Sequence, residues 1–345
     1  MSKYLVVAIF AAVVSWVLTP LVKVFAVKHG IVDRPRERRI HTQPVPLLGG
    51  FAMYAAFAAA ALVFLKPDRN VVGLLTGGAI ILGVGIIDDI YELKPLVKLM
   101  GQVVAAMVLV AFGVEIEFVT NPYGGMIYLG SLAAPLTILW VVAFVNVVNF
   151  IDGLDGLAAG VSAIAALTMA FVAAEKGQAS IALMAIAVAG AAAGFLPHNF
   201  NPASIFMGDA GAMFLGFSIA GVSAMGALKR PATLALVIPV LVLGVPILDT
   251  AFAILRRLQK RAPVSVGDRD HVHHRLLARG MNQRQAVFTI YVVSVLLAAA
   301  ACGIAVMDPR LGIGGVVTVF GALIFVGERS GILRTGPRHG HKVGR

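Results

Sequence analysis

Apolar residues come in long unbroken runs along this chain, and polar residues are confined to the stretches between them. A hydrocarbon layer about 30 Å thick needs roughly 20 apolar residues per helix. Runs of that kind predict eleven spans, near 4–24, 47–65, 71–87, 95–113, 131–150, 157–174, 179–197, 211–228, 231–254, 286–306 and 311–327. The runs at 71–87 and 157–174 are short and rich in small residues, which let helices pack closely in lipid, so both are expected inside the bundle. The interval 113–130 predicts a hairpin or surface segment. The first run is too long for a signal-peptide core and is read as a retained span. The fold class is therefore an all-α polytopic membrane bundle. One transmembrane domain covers 1–328, with polar loops at 25–46, 88–94, 151–156, 198–210 and 255–285. A basic tail at 329–345 is expected to be disordered.

Composition agrees. Of 345 residues, 59% are hydrophobic and 13% charged, with a mean hydropathy of +0.91. Single soluble cores stop growing near 250–300 residues, so a soluble domain has no use for this much apolar surface. The net charge of +11 would suit nucleic acid, but the basic residues sit in short loops between spans, so topology and anionic lipid or phosphate are the better explanation. With the N-terminus outside, 20 Lys and Arg fall on one side and 7 on the other, Lys23 lying within the first span. The richer side is cytoplasmic by the positive-inside rule, and the tail then ends inside. One cysteine, Cys302, excludes an internal disulfide and a thiolate metal cluster.

The same orientation gathers the unusual polar clusters on the cytoplasmic face. Asn146, Asn149 and Asp152 recur every three residues at the end of the fifth run, along one helix face. Gly153 and Gly156 loosen the backbone after them and let Asp155 join from a turn. Carboxylates kept beside hydrocarbon are candidates for function. Asp88 and Asp89 end the third run, and a cation would relieve their repulsion. Lys98 and Gln102, four residues apart on the next run, are placed to hold a phosphate. Asn199, Asn201, Phe206 and Asp209 lie between the seventh and eighth runs, where Asp209 is either a helix cap or a metal ligand. His271, His273, His274 and Arg275 share the largest loop and make an anion clamp. With carboxylates and amides elsewhere and no second cysteine, an oxygen-ligated magnesium fits better than zinc. The first loop is basic, then stiffened by Pro44 and Pro46, then carries Gly49 and Gly50, a path along which an anionic lipid head can dock. No Gly-x-x-x-x-Gly-Lys-Ser/Thr loop is present, so ATP hydrolysis of that kind is not indicated.

Five ordered motifs then carry a specific likeness: Pro46-Leu-Leu-Gly-Gly50, Asp88-Asp89, Asn146-x-x-Asn-Phe-Ile-Asp-Gly-Leu-Asp-Gly156, Phe206-Met-Gly-Asp209 and His271-x-His-His-Arg-Leu276. The chain resembles the polyprenyl-phosphate N-acetylhexosamine-1-phosphate transferases, the MraY/WecA-like glycosyltransferase 4 superfamily, and within it the WecA/TagO type. The resemblance implies transfer of GlcNAc-1-phosphate from UDP-GlcNAc to undecaprenyl phosphate in a bacterial cytoplasmic membrane. UMP is released, and the product begins a cell-envelope polysaccharide. It implies magnesium, with manganese as a substitute, and allows a homodimer. Carried over by motif, Asp209 and Asp152 would hold the metal, and Asp88, Asp89 and Asp152 would be catalytic, with Asp88 and Asp89 serving the lipid phosphate. Lys98, Asn146, Asn149, Asp155, Asn199, Phe206, His271, His273, His274 and Arg275 would bind substrate. Asp155 and Phe206 would lie near the uracil, and the histidines and Arg275 around the sugar and diphosphate. The alternatives are a phospho-N-acetylmuramoyl-pentapeptide transferase and, from another class, a secondary transporter. The transporter expects polar residues at the bilayer midplane and repeated halves, whereas these carboxylates sit at span ends.

Overall fold

The computed structural model describes residues 2–34, 44–121, 125–227, 232–259, 271–305 and 309–329. The tail predicted beyond Arg329 and the middle parts of the 25–46 and 255–285 loops lie outside the described residues. The chain opens with helix α1 (Ser2–Lys28), strands β1 (Val32–Asp33) and β2 (Val45–Pro46), and helices α2 (Gly49–Phe64), α3 (Arg69–Tyr91) and α4 (Pro95–Ala111). Strands β3 (Phe118–Thr120) and β4 (Met126–Tyr128) precede α5 (Ala133–Ile151), α6 (Leu157–Glu175), α7 (Ala179–Asn199) and α8 (Gly208–Ala227). The remainder is α9 (Ala232–Val242), α10 (Gly244–Gln259), the six-residue α11 (Val272–Leu277), α12 (Gln283–Ala305) and α13 (Pro309–Arg329). In lipid every backbone N–H and C=O must be satisfied within the segment, so apolar runs of this length become helices. Local signals set their ends: the Asp68 side chain accepts from Val71 N to start α3, and Pro95 occupies the first turn of α4.

Each apolar run of the sequence meets a helix, and the protein is a multi-pass membrane protein. Among the described residues, seven helices are long and apolar enough to cross a bilayer, or eight if the bent α9–α10 pair forms one span. The expected eleven crossings are not established, because α2 and α4 are shorter, at 16 and 17 residues, and α13 is not among the candidate spans. The single span expected at 231–254 is broken between α9 and α10, with a bend of 77°. Pro246 has no N–H to return to Val242, so the helical ladder fails where Gly244 also weakens it. The predicted hairpin at 113–130 is the antiparallel β3–β4 pair, with Val119 opposite Ile127.

The centre of the bundle is α8, whose apolar window is 100% buried, against 72% for α6 and 44% for α3. The interior placement expected for 157–174 is thus found, whereas 71–87 is only half enclosed. Small residues spread through α8 allow neighbours on every side. Close approach is clearest between α7 and α1, where a Cβ added at Gly190 or Gly194 would lie 2.5 or 2.1 Å from the Ala8 or Ala12 carbonyl oxygen. Outward-facing positions such as Leu5, Leu21, Leu62 and Leu139 stay apolar, as lipid contact requires. Helices α3, α5 and α7 end where α4, α6 and α8 begin, so their termini meet at one end of the bundle.

Candidate active site

That shared end holds the polar clusters. The last turn of α3 carries Asp88 and Asp89; they are helical, not in a loop, and diverge to different partners. Asp88 accepts from Leu93 N (2.8 Å) and pairs with Lys98 Nζ (2.7 Å) at the start of α4. Lys98 also reaches Asp209 Oδ2 at 2.7 Å, and the other Asp209 oxygen accepts from Asn149 Nδ2 of α5. Four helices therefore converge on Asp209. Asp89 instead accepts from the backbone N–H groups of Asp209 (2.7 Å) and Ala210 (3.3 Å). It caps α8 from another helix, satisfying amides that helix starts leave unpaired. Because Asp89 supplies the cap, the Asp209 side chain is turned to Lys98 and Asn149.

Glycines make this approach close. A Cβ on Gly208 (φ +70°) would fall 2.2 Å from Asp89 Oδ2, one on Gly85 2.3 Å from Ala210 Cα, and one on Gly50 2.2 Å from Gly211 N. Gly49 and Gly50 donate to the Phe206 and Met207 carbonyls at 3.0 and 2.9 Å, and Phe206 N donates to Pro46 O at 2.8 Å. The Pro46–Gly50 segment is thereby tied to the 206–209 segment.

The triplet at the end of α5 divides its work. Asn146 donates to Gln102 Oε1 (2.7 Å), and Gln102 is 1% exposed. The phosphate-holding role expected of Gln102 is not supported: it is a buried partner of Asn146 and Met213. Asn149 meets Asp209, and Asp152 leaves the helix. Burial pushes the Asp152 carboxyl up to about 8, with the negative charges of Asp209 and Asp155 acting in the same direction. Asp155 accepts from Asn201 Nδ2 (2.9 Å) and Ala203 N (3.0 Å), and Asn199 accepts from Gly156 N (3.1 Å), so the 152–156 turn is fastened to the end of α7. Among the described residues, no three His, Cys, Asp or Glu side chains stand close enough to enclose an ion by themselves.

The histidines come together as a row. His271 and His273 rings are parallel within 6° at 5.7 Å, and His274 lies 4.3 Å from His273. His273 packs on the turn, since a Cβ on Gly153 would be 2.6 Å from its Nε2. Burial, reinforced by His274 and His271, lowers its imidazole to about 3, so it is neutral at working pH. Arg275 is buried beside this row. Sequence reasoning missed Asp249, which holds His271, as well as Gln283 and Arg284, which bind Asn201 at 2.7 and 2.9 Å. A carboxylate inside the 231–254 apolar run was the signal for Asp249; nothing marked the other two.

One prediction follows from Asp152. Its folded-state pKa lies above its unfolded value, so folding favours the protonated form, and stability falls as pH rises from about 4 to about 8. Thermal unfolding of the purified protein across that range should show this slope, and Asp152→Asn should flatten it. An unchanged slope in the variant would remove Asp152 as its source.

The family described as glycosyl transferase family 4 matches residues 71–227. A Bacillus subtilis protein named probable undecaprenyl-phosphate N-acetylglucosaminyl 1-phosphate transferase is 39% identical over 303 residues, covering 87% of this chain and 85% of the relative. A decaprenyl-phosphate N-acetylglucosaminephosphotransferase of Mycolicibacterium smegmatis is 37% identical, covering 96% and 89%. An undecaprenyl-phosphate alpha-N-acetylglucosaminyl 1-phosphate transferase of Salmonella typhi is 27% identical, covering 81% and 77%.

Proposed function

The chain belongs to glycosyl transferase family 4, and from that membership we propose that it moves N-acetylglucosamine-1-phosphate from UDP-GlcNAc to undecaprenyl phosphate. The products are undecaprenyl-diphospho-GlcNAc and UMP, and the reaction is the first membrane step of a cell-envelope polysaccharide. As a family member the chain is a phosphotransferase. The finer reading is supported by the convergence of Asp88, Lys98, Asn149 and Asp209 from four helices at one end of a membrane bundle, and by the names of its relatives. Those names include both undecaprenyl and decaprenyl phosphate, so acceptor length is part of the proposal. The charge asymmetry of the loops supports placing this end in the cytosol, with the N-terminus outside.

An oxygen of the lipid phosphate bonds to the phosphorus that carries the sugar, and the bond from that phosphorus to the bridging oxygen breaks, releasing UMP. A phosphate monoester is mostly doubly ionised near pH 7, since its second pKa is about 6. Direct attack is therefore favoured over an aspartyl intermediate, and Asp88 is needed as a base only for the minority of lipid that arrives protonated. Lys98, held between Asp88 and Asp209, supplies positive charge where two anionic substrates must approach. Asp89 positions the first turn of α8, and Asn149 orients Asp209.

Asp209 with Asp152 would hold magnesium or manganese, which when bound offsets the repulsion between the phosphates. The donor set fits, because magnesium is commonly bound by one or two carboxylates plus substrate phosphates, and the two acidic groups repel each other without a cation. Purified protein given UDP-GlcNAc, undecaprenyl phosphate and magnesium should release UMP and form the diphosphate lipid. Release only with the UDP-muramoyl-pentapeptide donor would move the chain to the neighbouring transferase type, and no release with any UDP-N-acetylhexosamine would end the reading.

A further inference from the structure

The break between α9 and α10 brings a carboxylate of the apolar run to the histidine row. Asp249 is 5% exposed and uses both oxygens: Oδ2 lies 2.8 Å from His271 Nδ1, and Oδ1 accepts from Val272 N at 3.0 Å. An ionised carboxylate only accepts hydrogen bonds, so the proton of this contact is on Nδ1 of the ring. We propose that Asp249 is a positioning residue of the transfer site, holding His271 as its Nδ1–H tautomer and fixing the first turn of α11.

His271 Nε2, on the side of the ring away from Asp249, is then the nitrogen left for substrate. What Nε2 does there rests on the sugar-phosphate transfer reading, while its tautomer and orientation rest on geometry alone. The placement runs without a gap from α10 to the acidic turn. Asp249 holds His271, His271 stacks parallel on His273, and His273 packs on Gly153 beside Asp152. The neighbouring imidazole of His273 is neutral, so it brings no competing charge to the row. Partners that fix the tautomer and ring direction of a working histidine matter nearly as much as the histidine itself, with losses of roughly 10- to 100-fold on their removal. A purely structural reading makes Asp249 a cap for α11 and nothing more.

Three variants separate the two readings. Asp249→Asn leaves an amide that no longer dictates which ring nitrogen carries the proton. In protein labelled with 15N-histidine, the His271 signals, identified by their loss in His271→Gln, should show the Nδ1–H form in the wild type. Asp249→Asn should show mixed or Nε2–H forms, and Asp249→Glu should restore Nδ1–H. In UMP-release assays Asp249→Asn should lower kcat roughly 10- to 100-fold, with partial rescue in Asp249→Glu. The double variant with His271→Gln should be no worse than His271→Gln alone, because both act through one ring. An unchanged tautomer in Asp249→Asn, or losses that multiply in the double variant, would overturn the proposal. The spectra need no substrate, so a wild-type chain with a fixed tautomer and no transferase activity would defeat the functional reading and leave the Asp249 placement standing.

Discussion

Asp209→Asn is expected to lower UMP release by roughly 10²- to 10³-fold or more while leaving the protein folded. Its two oxygens serve two donors, the Lys98 ammonium and the Asn149 amide. An asparagine can keep an oxygen toward only one of them and must set its own NH₂ against the other, so the convergence of α4, α5 and α8 is lost together with the negative charge. Folding survives because α8 does not depend on this side chain for its cap; Asp89 accepts from the amides of its first turn. The measurements are initial rates of UMP release and the thermal midpoint in detergent. A variant with near-normal turnover would take Asp209 out of the reacting centre.

Gly50→Ala should be a severely damaging single methyl group, and one that strikes the site directly. The added carbon would stand 2.2 Å from Gly211 N, 2.4 Å from Gly211 Cα and 2.7 Å from the Ala210 carbonyl carbon. All three are backbone atoms, so no side chain can swing aside. Either α2 or the start of α8 must move, at a cost of ~3 kcal/mol, and Asp209 moves with α8. Stability and turnover should fall together. Gly83→Ala is the matching control: nothing lies within 4 Å of its added carbon, and alanine is the better helix former. Unfolding and activity of the two variants, compared side by side, test the contact; equal behaviour would refute it.

Much of this architecture was legible because hydrophobic run length is nearly the whole code in lipid. The run at 157–174 became α6 at almost the same limits, and the helix face through Asn146 and Asn149 was readable from spacing alone. What local pattern does not carry is which elements meet. The Pro246 break was present as residues, yet a run of apolar side chains reads as continuous until the missing N–H at Pro246 is considered. Gln102 sits four residues from Lys98 on the same helix, and spacing put both at one surface. The structure buries Gln102 against Asn146 because α4 and α5 pack along that line. Asp89 illustrates the same point: adjacent to Asp88 in sequence, it points about 100° away on the helix, and its amide partners lie in α8. The candidate motifs were visible one by one; that Asp88, Lys98, Asn149 and Asp209 share one cluster required the fold.

The cap that Asp89 provides spans 120 residues of sequence. During synthesis this acid enters the bilayer edge long before the amides it will bind have been made. A polar group without partners so near hydrocarbon is costly, and a chain halted before residue 209 leaves this carboxyl without the amides it will cap. Completion of α8 supplies those amides, so this tie between the third and the eighth helix closes only once the chain has been made through residue 210.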